Sequence, residues 1–590
     1  MNLDINTKAL NWAKSSAIDE TSRQEISELI NQNNSTELND RFYRDLEFGT
    51  GGLRGVLGAG SNRMNIYNIR KATQALADYL NEFHNSKTQL KVAVSFDSRR
   101  FSSEFAKAAA EVLAGNGIQV FMTKELRPVP MLSFMTRYYK CHAGICITAS
   151  HNPPEYNGYK VYWQDGGQLV PPHDLKIIAK YNAINDYAAI RSLEFKLGLK
   201  SEKIIVVDEE LDSAYFSELD KLQHDKSATK NLRVVYSALH GAGQFPVSRA
   251  LKNFGFNDVH FVEEQSAPNG NFPTVKSPNP EDTPTMKLAL ELGVKVAADV
   301  ILATDPDVDR LGAIVKHHHD FIVLNGNQIA SLLTDYILKK SSALDLKDGL
   351  VIKTIVTSDL LSAIARSYGV ETKETLTGFK WIAELIEKLE SGQDKPYKKF
   401  LCGGEESYGF LTGRFVRDKD AVSSAAIFCE MASSYKEQGL SVIDALDNIY
   451  QQHGVFAESL HTITLKGQDG LAKINAIMQN LRLHPPQKIC GSEIAALIDF
   501  QEQKLTRFNN SETLNIPTEL PSLPKSDVLQ IFLLDGSKIS IRPSGTEPKL
   551  KFYFATYEKV TKELSAAEAK VLTKKRLSTM QASFEDKLSS

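Results

Sequence analysis

Ala143-Gly144-Ile145-Cys146-Ile147 runs without a charged side chain into Thr148-Ala149-Ser150-His151-Asn152-Pro153-Pro154. A short apolar run bounded by turn residues reads as a strand buried on both faces, as found inside parallel or mixed sheets. The paired prolines stop the backbone from continuing as a helix. Ser150 is thereby delivered to the strand's edge with the imidazole of His151 beside it. Tyr156-Asn157-Gly158 reads as a tight turn that brings Lys160 back toward it. A hydroxyl with an imidazole and an amine at hand suits a nucleophile or a phosphoryl carrier.

Outward from this stretch the same pattern repeats. Val92-Ala93-Val94 and Ile118-Gln119-Val120-Phe121 are further apolar runs, separated by helical stretches such as Ser103 to Leu113. Strand patterns alternating with helical ones predict βα units around a mostly parallel or mixed sheet. The pattern restarts at Leu232-Arg233-Val234-Val235-Tyr236, after a polar linker at Gln223 to Lys230, and its sheet is expected to end near Val300-Ile301-Leu302-Ala303. It restarts again after Gly326, with Leu350 to Val356 and Phe400-Leu401-Cys402 as strands. The last block differs. His461-Thr462-Ile463-Thr464-Leu465 alternates, and Asp527 to Tyr553 reads as strand, Asp535-Gly536 turn, strand, loop, strand, before a helical ending from Ala566 to Leu588. The expected fold is three similar α/β domains with mixed sheets plus a C-terminal α+β domain with an antiparallel sheet. Its divisions are a helical segment at 1–40, α/β domains at 41–220, 221–322 and 323–455, and the α+β domain at 456–590.

Composition narrows the function classes. At 590 residues the chain exceeds one core, and about 150 residues per domain suggests about four domains. A net charge of −3 with mixed signs gives no electrostatic reason to bind nucleic acid. The 5 cysteines are few, odd in number and without a CxxC pair, which points to a reducing compartment with neither a disulfide framework nor a zinc site. Met1-Asn2-Leu3-Asp4 opens no signal peptide, and no apolar run approaches the ~20 residues that span a bilayer. A cytoplasmic protein with no membrane partner is the expectation. His317-His318-His319, between two apolar runs, reads as a strand-connecting turn and not a metal site.

Three further motifs carry chemistry. In Asp305-Pro306-Asp307-Val308-Asp309-Arg310 the acids alternate at a strand end, so extended backbone would point all the carboxylates one way. Clustered hard oxygens suit Mg²⁺. An EF-hand would need glycine where Arg310 stands and glutamate where Lys316 stands. Arg310 is suited to hold a carboxylate or phosphate. Gly404-Glu405-Glu406-Ser407-Tyr408-Gly409 follows a strand pattern and offers a carboxylate and a hydroxyl that can grip neighbouring sugar hydroxyls, or simply form a solvated turn. Arg542-Pro543-Ser544-Gly545-Thr546-Glu547-Pro548 gathers a guanidinium, hydroxyls and exposed backbone into an anion cradle, or else a plain Pro/Gly connection. Gly49-Thr50-Gly51-Gly52-Leu53-Arg54-Gly55 lacks the Lys-Ser/Thr ending of a P-loop.

Thr148 to Pro154, continuing to Lys160, closely resembles the phosphoserine loop of the α-D-phosphohexomutases, the phosphoglucomutase and phosphomannomutase superfamily. The Asp305, Gly404 and Arg542 motifs match that family in its order, so the resemblance runs from about Phe48 to about Tyr553. It implies a heart-shaped arrangement of the domains around a central cleft. It implies one Mg²⁺ per chain on Asp305, Asp307, Asp309 and the phosphate of Ser150. Glu405 and Ser407 would grip the sugar hydroxyls, and Arg542, Ser544, Gly545 and Thr546 would hold a phosphate. Arg54 becomes an active-site cation. Lys380, Arg417, Lys419 and Arg310 supply further basic contacts to substrate. Lys160, His151 and Arg54 are the candidate general bases, with Lys160 favoured if burial and neighbouring cations lower its pKa. The implied activity interconverts glucose 1-phosphate and glucose 6-phosphate, with glucose 1,6-bisphosphate as intermediate and activator. Chain length, Gly49 to Gly55, and Thr377-Gly378-Phe379-Lys380 look most like the phosphoglucomutase-2 and phosphopentomutase branch. Mannose or pentose phosphates, a bisphosphate synthase, and a sugar-phosphate-binding regulator on a mutase scaffold stay open, as does the oligomeric state.

Overall fold

The computed structural model describes residues 3–49, 51–84, 88–226, 230–465, 468–508, 516–544 and 549–589. It divides into two compact units, Met1–Ile329 with Phe379–Ser441, and Ala330–Gly378 with Val442–Ser590.

The first unit opens with helices Leu3–Lys14, Glu20–Asn31 and Ser35–Phe42. Asp19 caps the second helix at the Ser22 amide, and Asn34 caps the third at Glu37. Such caps satisfy amides that the first helical turn leaves without partners. The apolar faces of these helices (Ile5, Trp12, Ile26, Leu38 and Phe42) close on Ala59 and Tyr67 of the following domain.

That domain is a mixed sheet between helices. Its strands are β1 (Gly52–Val56), β2 (Lys91–Phe96), β3 (Gln119–Thr123), β4 (Ala143–Ile147), β5 (Tyr156–Trp163) and β6 (Ile204–Val207), in the order β1-β5-β4-β2-β3-β6. β4, β2, β3 and β6 run parallel, whereas β5 and β1 run antiparallel to their neighbours. β4 is buried at every residue, as its unbroken apolar run requires. Tyr156-Asn157-Gly158 is not a turn. Those residues already pair with Val56, Gly55 and Arg54 of β1, and the chain reverses before them, at Pro154-Glu155. The Asn157 amide is drawn inward to the Arg100 carbonyl and Ser102 Oγ, and Gly158 lies so close to the Thr148 carbonyl that a Cβ would stand 2.3 Å from it. These tertiary contacts override the local Asn-Gly preference for a hairpin turn.

The next sheet contains β7 (Val234–Ser237), β8 (Val259–Phe261), β9 (Val300–Thr304), β10 (Leu311–His317) and β11 (Asp320–Leu324), in the order β11-β10-β9-β7-β8. It does not end at Ala303. The chain turns through Asp305–Arg310 and adds an antiparallel hairpin, whose connection at His318-His319 is the expected strand-connecting turn. The rest of the first unit carries helix Phe379–Glu390, the hairpin Lys399–Gly404 with Phe410–Thr412, and helix Ala421–Glu437.

In the second unit Gly349–Thr354 pairs in parallel with Glu371–Thr375. The C-terminal domain is an antiparallel sheet, as its alternating pattern requires. Strands Val455–Thr464, Lys549–Glu558, Lys538–Pro543, Leu529–Leu533 and Ser492–Asp499 follow one another, and the apolar face of helix Ala566–Ser589 lies on the sheet through Leu577, Met580 and Phe584. Among the described residues no helix is long and apolar enough to cross a membrane.

Candidate active site

Ser150 stands where β4 ends, with φ +52°. A left-handed serine costs energy that the surroundings must make up. Its amide donates to Thr148 Oγ1 at 2.8 Å, and its Oγ donates to Asp305 Oδ2 at 2.7 Å. His151 Nδ1 lies 3.2 Å from the same Oγ. Burial, with Arg310 and Arg54 nearby, holds the His151 pKa well below the ordinary histidine value.

The three carboxylates meet by a different route from the expected one. Asp305–Asp309 is a tight turn and not extended strand: the Val308 amide donates to the Asp305 carbonyl at 3.0 Å, and Val308 adopts φ +58°. Asp305 Oδ1 accepts from the amides of Asp309 and Arg310, each at 3.1 Å. The turn converges the acids until one oxygen from each lies within 4.8 Å of the others, all three being buried. Burial, then Asp307 and Asp309, push the Asp305 pKa well up. Burial also pushes on Asp309, but Lys419, Lys160 and Arg310 carry it far below the usual carboxylate range.

Two cations close the loop. Lys160 Nζ lies 2.8 Å from Asp307 Oδ2 and 3.4 Å from Asp309 Oδ2. Lys419 Nζ lies 3.2 Å from Asp309 and 2.9 Å from Asp418. The expected lowering of the Lys160 pKa is not what this environment gives. Burial does pull it down, but Asp307 and Asp309 outweigh burial and hold the ammonium charged. The three carboxylates can hold a divalent cation: one oxygen of each lies within reach of the others, Asp307 Oδ1 and Asp309 Oδ1 are buried without hydrogen-bond partners, and Ser150 Oγ is bonded to the third acid, Asp305. An all-oxygen donor set of this kind fits a hard ion.

The Glu405 loop docks against the exit of the acidic turn. The Leu311 amide donates to the Tyr408 carbonyl at 3.0 Å, and Arg310 bridges to Gly409. Glu405 is buried; burial raises its pKa, and Lys419 and Arg310 counter that rise. Gly409 lies under the Lys419 stem, where a Cβ would meet Lys419 Cδ at 2.1 Å. In the first unit, therefore, three loops from widely separated parts of the chain share one constellation of acids, lysines and a hydroxyl.

Models of all four phosphoglucomutase/phosphomannomutase domains match the chain: α/β/α domain I at residues 45–188, II at 213–318, III at 325–453 and the C-terminal domain at 471–570. The chain belongs to the phosphoglucomutase/phosphomannomutase family. It is thus an enzyme of the phosphoryl-moving isomerase class. Proteins named phosphoglucomutase from Staphylococcus aureus strains bovine RF122 / ET3-1 and USA300 are 38% and 37% identical over 530 residues, covering 90% of this chain and 92% of theirs. Among solved structures, the Paramecium phosphoprotein parafusin, a phosphoglucomutase in an open form, superposes with TM-score 0.64 at 17% identity, covering 91% of this chain and 96% of its own. A phosphoglucomutase/phosphomannomutase family protein from Burkholderia thailandensis superposes with TM-score 0.61 at 18% identity, over 90% of this chain and 96% of its own. Both share the fold.

Ser150, His151, Lys160, Asp305, Asp307, Asp309, Arg310, Lys419 and Glu405 are brought together, with Ser407 in the same docked loop. Arg54 lies on β1 opposite Gly158, near enough to His151 to influence its charge. Arg417 is turned elsewhere, its buried guanidinium bound to Glu390 and the Arg414 carbonyl. Lys380, at the start of helix Phe379–Glu390, has its ammonium 5.0 Å from the Trp381 ring. Arg542 lies near the end of strand Lys538–Pro543 in the second unit and Ser544 directly follows that strand, whereas Gly545 and Thr546 lie outside the described residues. A wide cleft of about 1640 Å³ in the first unit, lined by Trp163, His173, Glu387 and Arg414 among others, includes none of the acidic-loop residues, so chemistry and not volume locates the site.

Sequence reasoning missed Asp97 and Arg99 behind Ser150, Thr148, whose Oγ1 also donates to Asp307 at 3.2 Å, and Asp418, which anchors Lys419. For Asp97 and Arg99 the signal was the charged cluster Asp97-Ser98-Arg99-Arg100 following an apolar strand.

Proposed function

We propose that the chain is a phosphoglucomutase, interconverting glucose 1-phosphate and glucose 6-phosphate through phosphorylated Ser150 and a bound glucose 1,6-bisphosphate. The observation that carries the reading is Ser150 Oγ at 2.7 Å from Asp305, in a strained turn facing three buried carboxylates. The phosphoglucomutase name of relatives at 37–38% identity supports glucose as the sugar. In the forward half-reaction the sugar's free hydroxyl oxygen bonds to phosphorus, the Ser150 Oγ–P bond breaks, and the hydroxyl proton passes to a base. Lys160, whose Nζ lies 2.8 Å from Asp307, and His151, whose Nδ1 lies 3.2 Å from Ser150 Oγ, are the groups placed to accept that proton, with Arg54 beside them. Asp305, Asp307, Asp309 and a phosphate oxygen on Ser150 would hold Mg²⁺, which when bound draws charge from the phosphoryl group. The bisphosphate then turns around and returns its other phosphate to Ser150.

Glu405 and Ser407 are assigned to the sugar hydroxyls, Arg310, Lys419 and Arg54 to charge around the reacting phosphate, and Lys380 to a further contact with substrate. Arg542 and Ser544, with Gly545 and Thr546, are assigned to the phosphate that does not react. A cytoplasmic location accords with the few cysteines of the chain, of which Cys141, Cys146, Cys402 and Cys429 are buried. Coupled assays with glucose, mannose, glucosamine and ribose 1-phosphates test the assignment. Turnover fastest on glucose 1-phosphate is expected, and preference for another sugar would reassign the substrate.

A further inference from the structure

We infer that Arg99 is a positioning residue for phosphoryl transfer, holding the Ser150 loop in its reactive shape by its main-chain carbonyls. The inference rests on Ser150 being the phosphoryl carrier. Arg99 follows β2, whose last residue pairs with Ile147 at the end of β4, so it emerges beside the point where the Ser150 loop begins. Its side chain is fully buried. Nη2 donates to the Ser150 carbonyl at 2.6 Å and to the Asn152 carbonyl, and Nη1 donates to those of Pro153 at 2.9 Å and Tyr156 at 3.0 Å. One planar guanidinium therefore reads the whole turn from the reactive serine to the start of β5.

The guanidinium is itself fixed on two sides. Asp97 Oδ2 lies 3.5 Å from Nε, while Asp97 Oδ1 accepts from the Arg99 amide and Ser102 Oγ. On the other side Phe272, which belongs to the domain bearing the acidic turn, stacks with its centroid 4.9 Å from the Arg99 Cζ. Arg99 also forms a bridge with Gly270, where a Cβ would stand 2.4 Å from the Arg100 amide nitrogen. Arg99 thus ties the serine loop to the domain that carries Asp305, and so fixes Ser150 against its acidic partner. Beyond the bonds of Ser150 itself to Thr148 and Asp305, the four carbonyl contacts constrain the left-handed serine and the turn that follows it.

The test uses the full-length enzyme. Arg99→Lys keeps the charge but cannot span four carbonyls, and a misplacement of about 1 Å at a reacting centre costs on the order of 100-fold in rate. Arg99→Lys is expected to fold, to keep KM for glucose 1-phosphate within about twofold, and to lose about 100-fold in kcat. Intact mass after rapid mixing with glucose 1,6-bisphosphate should show Ser150 phosphorylation slowed by a similar factor. In Arg99→Ala, added guanidinium ion should restore part of the turnover, whereas the same concentration of ammonium should not. Unchanged kcat in folded Arg99→Lys, a loss confined to KM, or no guanidinium rescue of folded Arg99→Ala would each overturn the inference. So would failure of both variants to fold, because Arg99 would then be needed for folding itself. If the wild-type enzyme never gains phosphate on Ser150, the proposed function fails instead.

Discussion

Ser150, Val308 and Tyr408 all occupy left-handed backbone, at φ +52°, +58° and +66°, one in each loop of the constellation. Such residues cost about 1–3 kcal/mol apiece, most of all β-branched Val308, and persist only where surrounding contacts outweigh them. Here those contacts are Thr148 and Arg99 on the Ser150 main chain with Asp305 on its Oγ, the turn hydrogen bond to the Asp305 carbonyl, and Tyr408 pairing with Leu311. Ser150→Ala keeps the backbone contacts, so it should fold and lose turnover entirely; intact mass should show one phosphate on wild type after glucose 1,6-bisphosphate and none on the variant. Asp307→Asn removes one carboxylate from the cluster and weakens its pairing with Lys160. It should abolish turnover, as chelation should in wild type, while calorimetry finds sugar-phosphate affinity changed by less than about threefold, within 1 kcal/mol. The acids and the serine were legible because each motif is contiguous. Arg99 was not, because its partners are carbonyls of a loop more than fifty residues later, which no side-chain pattern records. The pairing of Lys160 with Asp307 was not legible for a related reason: its partner comes from another domain.

At the scale of elements, the serine's position depends on how β4, β5 and β1 stack. Gly158 of β5 lies between the Thr148 and Leu53 carbonyls, where a methyl group would stand 2.3 Å and 3.0 Å from them. Because both obstacles are backbone, Gly158→Ala must push the serine loop or β1 aside. It should cost about 1–3 kcal/mol of stability by thermal unfolding and reduce kcat more than KM. The same contacts explain why Asn157-Gly158 deceived a local reading: the pair follows turn chemistry, but tertiary packing claimed it for a strand. In the second unit, strand Val455–Thr464 carries Glu458, whose pKa is pushed up to about 7 by burial and the charge of Asp359, against a Ser358 hydrogen bond and the lysines 538 and 353. The folded state holds this proton more tightly than the unfolded chain, with its ordinary value of 4.5, so stability falls as pH rises from 4.5 through about 7. Glu458→Gln should therefore raise the melting temperature relative to wild type more at pH 8 than at pH 5. Equal shifts at both values would show that Glu458 does not titrate in this window.

For the whole molecule, sequence patterning revealed three α/β domains and an antiparallel terminal domain because each repeats its own period of burial. It could not reveal which residues from different domains would pair. Lys419 reaching Asp309 and Phe272 covering Arg99 follow from packing between domains, which local periodicity does not encode. The proposed chemistry makes a demand at the same scale. A sugar phosphate that reacts first at one end and then at the other must have its idle phosphate held equally well in both orientations. Arg542, a guanidinium followed by Ser544 at the end of strand Lys538–Pro543, is the residue assigned to that phosphate. Arg542→Ala should weaken glucose 1-phosphate and glucose 6-phosphate by similar factors. Losing a charged bidentate contact costs on the order of 2–4 kcal/mol, roughly 30- to 1000-fold in affinity. Glu405→Gln should behave differently, lowering turnover and blurring the choice between sugar epimers, because it is assigned to hydroxyls and not to phosphate. Calorimetry with both isomers separates the two cases. An Arg542 variant that lost affinity for only one isomer would mean the two phosphates are held by different residues, and reorientation of a bound bisphosphate could not then be the route between them.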